Sequence, residues 1–540
     1  MNLPRLGARA LLLASALLPC ACHRSSRAED GTRAGILQFA NEAEPQDLDP
    51  NTNISGSDDR ILTALFEGLV SIGKDGRSVQ PGVAESWDVS PDGLRYTFHL
   101  RAGARWSNGE PMTAADFLFT FRRVFDPQLA CEESSFGFAV AGSEDYALGR
   151  VADPATLGVD APDPRTFVIR LGHPAAYFLS LLASSPFLPV YRPALEKFGG
   201  VRQRGAPWTR EGNLVSNGPF QLARWVANQV IEVRPNPHYW DAAHVALKGI
   251  DFYPVDDGNV QELGFRSGQF HIATRVPALK ALTYAQRPGV LRRVLRLGSV
   301  FVTFNVAQAP FTDPRVRQAL SMALDRERLC ASVYHGLAQP AHTQVVPGAG
   351  GYTPPTAATD RLDPEGARRL LAAAGYPGGR GFPVFDLMLV GSDATTVNTG
   401  EVLQEAWRSV LGVTVHLAPT EPKVYLDAER TKHYQAIVDN WDLTWDDPSA
   451  FYQTGQTGNP NNDSGWSDAE FDRAYRAAEL STDPDIRRRA FDVQEARLAA
   501  GTPYAPLLFR ERVTLVLPDV QGWNTAGIER IDWKGISLGP

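Results

Sequence analysis

The stretch Pro81–Phe117, PGVAESWDVSPDGLRYTFHLRAGARWSNGEPMTAADF, constrains the chain more tightly than any other. Tyr96, Phe98 and Leu100 alternate with Thr97, His99 and Arg101, the period of a strand with one buried face. Ser90-Pro-Asp-Gly93 reads as a turn, because proline presets one dihedral and glycine accepts a positive φ. Asn108-Gly109 reads as a second turn. Thr113 and Asp116 then form a reciprocal cap that opens a helix.

At 540 residues the chain exceeds a single core, so two or three domains are expected. The net charge of −8 argues against nucleic acid or an anionic membrane surface, since both reward clustered Lys and Arg. Residues 1–22 read as a processing signal. Arg5 and Arg9 precede a short apolar run, Ala10–Leu18, with small residues around Cys20 and Cys22. That run falls short of the roughly 20 residues that cross a bilayer.

A cysteine closing such a run resembles a lipoprotein cleavage site. Cys22, after Ala21, is preferred to Cys20, after Pro19, with a plain secretory signal as the alternative. An exported, lipid-anchored protein of the periplasm or cell surface is the expectation. Residues 23–34 are polar without apolar period and read as a tether. Cys131 and Cys330 read as free buried thiols, although an oxidising compartment would permit a disulfide.

Further on, residues 35–39 read as a strand and 60–69 as a helix stopped near Gly68. Ser216-Asn-Gly-Pro-Phe220 and Asn236-Pro-His-Tyr-Trp240 read as a turn over an aromatic corner, structural in role. Phe301–Val306 reads as a strand, and Thr312 as the cap of a helix from Pro314 with Val316, Ala319, Leu320, Ala323 and Leu324 along one side. Arg315 and Arg317 lack a Gly-rich loop and read as solvated or ion-paired groups. The last third alternates helices and strands, with Ser467 and Glu470 as another capping pair, so the fold class is α/β.

The Pro81–Phe117 phrase, the Ser216–Trp240 order and the run from Asn305 through Pro310–Leu320 to Leu324-Asp-Arg326 resemble one family. It is the peptide- and nickel-binding class (family 5) of solute-binding proteins that serve ABC importers, and the oligopeptide-binding branch is nearest in phrasing. The resemblance implies a two-lobed periplasmic-binding-protein fold of type II with an extra domain, mixed sheets and a hinge between lobes. Domain I would comprise residues 35–66, 189–297 and 509–540, domain II 67–188 and domain III 298–508. It also implies an oligopeptide ligand, permease and ATPase partners, a monomer, and no enzyme activity, cofactor or metal.

A ligand with variable side chains must be held by its backbone and charged ends. By resemblance, Val438–Pro448 runs beside the ligand, and the ammonium-binding aspartate of the branch falls at Thr444. Asp442, two residues earlier, is the candidate replacement, flanked by Asn440 and Trp441. Two arginines of the branch fall at Val438 and Glu429, so Asp439, Asp442, Asp446 and Asp447 suggest a more negative field and cationic or N-terminally basic ligands, or a bound metal, or else turn-forming and solvated acids. Asn53, Ser55 and Gly56 match a loop that pairs with ligand. By resemblance Phe301 falls at a tyrosine position of the pocket and Phe509-Arg510 in its tyrosine-rich C-terminal strand, with Arg510 as a partner for a ligand carboxylate. A different solute remains the alternative: a dipeptide, a cell-wall peptide, a metal chelate or another metabolite. The chain carries no His-Glu-x-x-His or P-loop motif, and Ser71-Ile-Gly-Lys74 fits a Ser-x-x-Lys pattern by chance.

Overall fold

The computed structural model describes residues 25–357, 360–443, 445–523, 527 and 530–539. Residues 1–22, with Cys20 and Cys22, and Thr444 lie outside the described residues. Two long antiparallel strands, Leu291–Phe304 and Tyr504–Val516, organise everything else. On one side they continue through Ala436–Asp442, Phe385–Val390 and Val415–Thr420. On the other they continue through Ile272–Ala273, Ile36–Ala40, Gly249–Tyr253, Val230–Pro235 and Phe220–Val226. One mixed sheet therefore runs through two lobes, and the pairing register breaks between Leu295 and Ser299, where the strands pass from one lobe to the other.

Each lobe has its own core. One apolar cluster gathers residues from Leu37 to Ile272 and from Val516 to Ile536, while two others lie within Leu297–Phe509. The segment singled out from sequence belongs to the first. Arg95–Leu100 pairs with Ala84–Val89 and Thr166–Arg170 in a four-stranded sheet, with Tyr96, Phe98 and Leu100 buried. Gly93 and Gly109 take positive φ, and Thr113 and Asp116 cap the helix Ala114–Val124 reciprocally. Cys131 and Cys330 are free, buried, and in different lobes.

Several sequence expectations change. The tether is a helix from Arg27 to Ala34, because Ser26 and Glu29 form a capping box and Gly35 takes the left-handed cap. Gly31 lies so close to the Ile36 carbonyl and His271 that a Cβ would collide with both. The helix expected from Arg60 spans Gly56–Leu65; its polar first turn, with Asp58 and Asp59, suits the positive end of the helix dipole but interrupts the apolar pattern. At two other helices the residue after the expected hydroxyl cap does the capping: Asp313 accepts from the Arg315 amide, and Asp468 from those of Glu470 and Phe471. Arg315 pairs with Asp313, as read, but buried Arg317 donates to the carbonyls of Gly501, Thr502 and Phe311 rather than to an acid.

The turn and aromatic corner do prove structural. Tyr239 and Trp240 donate to the buried Glu67 carboxylate at 2.5 and 2.6 Å, and Asn217 closes the same knot through the Glu67 backbone. A second knot fixes the approach to the loop Asn53–Gly56. Arg123 donates to Asp49 at 2.9 and 2.5 Å, to Asn51 at 2.7 Å, and to the carbonyls of Gly200 and Val201. Both charged side chains of that pair are 1% exposed. Replacing Asp49 with Ala would strand a buried guanidinium, so urea unfolding should show a loss of about 3–5 kcal/mol.

Candidate functional site

A cleft opens where the two lobes meet. One part, of about 380 Å³, lies between the Asn53–Gly56 loop, Asp59, Glu133 and Phe136 on one side and Arg296, Leu297, Asp442, Leu443 and Arg512 on the other. A neighbouring part of about 560 Å³ shares Ser55, Gly56, Arg296 and Arg512 with it. The cleft is therefore long, and built by residues far apart in sequence.

The first wall is shaped by an Asx turn, in which the Ser55 amide donates to the Asn53 side chain at 2.9 Å. Gly56 faces open space, with nothing within 4 Å of where a Cβ would stand, so ligand can approach its backbone. Asp58 is pushed up to about 6 by burial, against the hydrogen bonds of Ser57 and Ser55. Asp59 accepts from the Ser185 hydroxyl. Glu133 is pushed up to about 7 by burial, with repulsion from Asp59 and Glu132 added and attraction to Arg530 opposing.

The second wall is basic. Asp442 pairs with Gly298 across the strands, and a Cβ at that glycine would overlap its carboxylate. That carboxylate is held by Arg296 at 2.8 Å and by Arg510 at 3.2 Å. With Arg512 this wall carries three arginines, two of them on Asp442, and neighbouring Glu511 is already paired with Arg293 at 2.5 Å. Acid on one wall and base on the other suit a ligand that has both charges.

Beyond one end of the cleft, the lobes touch. Trp445 stacks on Tyr177 with centroids 4.9 Å apart and meets Phe136 edge-on. Arg77 donates to both Asp446 oxygens, at 2.7 and 2.9 Å.

Of the residues expected from sequence, Asn53, Ser55, Gly56 and Asp442 line the cleft. Arg510 approaches it through Asp442. Phe301 and Phe509 are buried; Phe301 packs on Phe451 and Tyr504, and both belong to the second-lobe core. Strand alternation turns Trp441 away from Asn440 and Asp442. Its indole donates to the Ala450 carbonyl at 2.7 Å, and Trp441 and Asn440 border a separate cavity.

The expected negative field is also corrected. Asp442 is paired as described, Asp446 with Arg77, and buried Asp447 with Arg487 at 2.7 Å, so the last two are neither solvated nor free. Asp439 faces Glu429 and Asp463 instead, with carboxylate oxygens within 4.8 Å of one another. Burial raises the pKa of all three, which lets protons relieve their repulsion. Sequence reasoning missed Glu133, Arg296, Arg512 and Arg530, which sit in no recognisable motif.

Residues 78–463 match the model of the bacterial extracellular solute-binding proteins, family 5. The chain belongs to this family. It is 32% identical to the probable deoxycholate-binding periplasmic protein YgiS of Escherichia coli, over 90% of each chain. It is 30% identical to the periplasmic oligopeptide-binding protein OppA of Salmonella typhimurium, over 90% of this chain and 89% of that one. Among solved structures, the unliganded open form of the murein tripeptide-binding protein MppA superposes with a TM-score of 0.81 at 27% identity, covering 93% of this chain and 97% of that one. Haemophilus influenzae OppA in complex with RPPGFSPFR gives 0.74 at 27% identity, covering 93% and 99%. The fold is thus the two-lobed binding-protein fold that the sequence resemblance implied.

The geometry at Asp442 makes a specific expectation. Its side chain is 42% exposed, so Asp442→Asn should change stability by no more than about 1 kcal/mol in denaturant melts. The same change releases Arg296 and Arg510 toward the cleft and should tighten a ligand that presents a free carboxylate, measured against its amide. A selective loss for free-amine ligands would instead assign the ammonium to Asp442.

Proposed function

We propose that this protein is the solute-binding receptor of an ABC importer, and that it captures oligopeptides between its lobes for a membrane permease and its ATPase. The observation that carries the reading is the cleft itself, with an acidic wall facing a basic one that is built on the two strands joining the lobes. A peptide brings an ammonium group, a carboxylate and a backbone rich in donors and acceptors, so it can be held without reading its side chains. The peptide-binding relatives support the class of ligand.

The receptor acts outside the cytoplasm as a monomer, tethered by lipid at Cys22. No helix among the described residues is long and apolar enough to cross a membrane. Domain I would be assembled from residues 35–66, 189–297 and 509–540, with 67–188 inserted and 298–508 forming the other lobe.

A second reading, a different solute in the same cleft, is favoured by the similarity to YgiS and by the apolar Ile54, Phe136, Leu297 and Leu443 in the wall. Native mass spectrometry of freshly purified protein separates the two. A ladder of heterogeneous peptide masses is expected; a single discrete small mass would contradict the oligopeptide reading and favour the second.

A further inference from the structure

Glu133 differs from every other acid of the cleft. Asp442 has Arg296 and Arg510, Glu42 has Arg60, Glu511 has Arg293 and Asp59 has the Ser185 hydroxyl. Among the described residues, no side chain or backbone amide donates to the Glu133 carboxylate, and no cation lies within ion-pair distance of it. It sits on the short helix Glu132–Gly137, whose Phe136 also lines the cleft, and so belongs to the insertion rather than to the second lobe.

A half-buried carboxylate with no counter-charge in ion-pair contact is an unfavourable arrangement unless something supplies one. The protein's nearby cation, Arg530, donates to the Ser180 carbonyl at 2.6 Å. The facing wall, by contrast, already has its acid neutralised twice over. We propose that Glu133 is the cation-binding residue of the cleft, receiving a positively charged nitrogen of the peptide, and that the ligand's carboxylate lies toward Arg296, Arg510 and Arg512. This places the positive group on the insertion side, opposite the Val438–Pro448 segment where sequence resemblance put it. The proposal rests on the peptide reading and adds the direction in which the ligand lies.

The charged nitrogen is either the α-ammonium or a Lys or Arg side chain, and both present the same chemistry to a carboxylate. Charge-assisted hydrogen bonds are worth more than neutral ones, and losing one corresponds to roughly ten- to a hundredfold in affinity. Binding should also depend on pH. Burial and the neighbouring Asp59 and Glu132 favour the protonated form of Glu133, while Arg530 opposes it. Across the cleft Asp442 is held by Arg296 and Arg510, and Arg512 adds a fixed positive charge. Affinity for a cationic ligand should therefore fall as pH drops from 8 to 6, as Glu133 takes up its proton.

The test is calorimetry on the full protein and on Glu133→Gln with three probes: trialanine, N-acetyl-trialanine, and an N-acetyl tripeptide carrying one lysine. At pH 8 the variant should lose tenfold or more for trialanine, the lysine peptide or both, with N-acetyl-trialanine unchanged. Whichever peptide responds identifies the nitrogen. The wild-type affinity for that peptide should weaken toward pH 6, and the variant's should not. Glu133→Asp, which keeps the charge, should retain most of the preference. Equal losses for all three probes, or no loss for any, overturn the role of Glu133 while leaving the peptide reading intact. Wild-type protein that binds none of the three overturns both.

Discussion

The structure depends on two paired strands that both lobes share. Leu291–Phe304 and Tyr504–Val516 begin and end in different cores, and their register is interrupted between Leu295 and Ser299. A backbone ladder resists stretching and shear but bends where pairing is broken. The interruption therefore allows the lobes to change their angle without unfolding either core, which is hinge motion with few moving residues. The same strands carry Arg296, Arg510 and Arg512, so the hinge is also part of the binding wall.

Charge in the cleft follows from this placement. The arginines arise from the two shared strands and the acids from the helix Gly56–Leu65 and the short helix Glu132–Gly137, so the walls differ in sign because different elements build them. Closing the cleft would remove water from both, and electrostatic attraction to a ligand strengthens as the local dielectric falls. A ligand bearing both charges gains from closure at each end. Trp445 and Arg77 already bring the lobes together beyond one end of the cleft, through an aromatic stack and an ion pair.

Much of this was legible in the sequence where local chemistry decides the outcome. The alternation at Tyr96–Leu100, the glycines of the turns and the Thr113–Asp116 cap depend on neighbours within a few residues, and they stand as read. The polar segment before Gly35 was misread because a capping box can start a helix without an apolar stripe. Phe301 and Phe509 looked like pocket residues by position, yet strand alternation faces them into a core. Asp442 lines the cleft, but its two arginine partners come from other strands and leave no mark nearby in sequence. Glu133 was invisible for the same reason: its meaning lies in lacking a partner, which only the assembled cleft reveals.

The central claim is that a peptide is held between two lobes that close on it. Small-angle scattering of the full protein, recorded alone and saturated with a short peptide, tests this most directly. The account predicts a smaller radius of gyration and a shorter maximum dimension with peptide. Superimposable curves, under conditions where calorimetry records saturation, would contradict it.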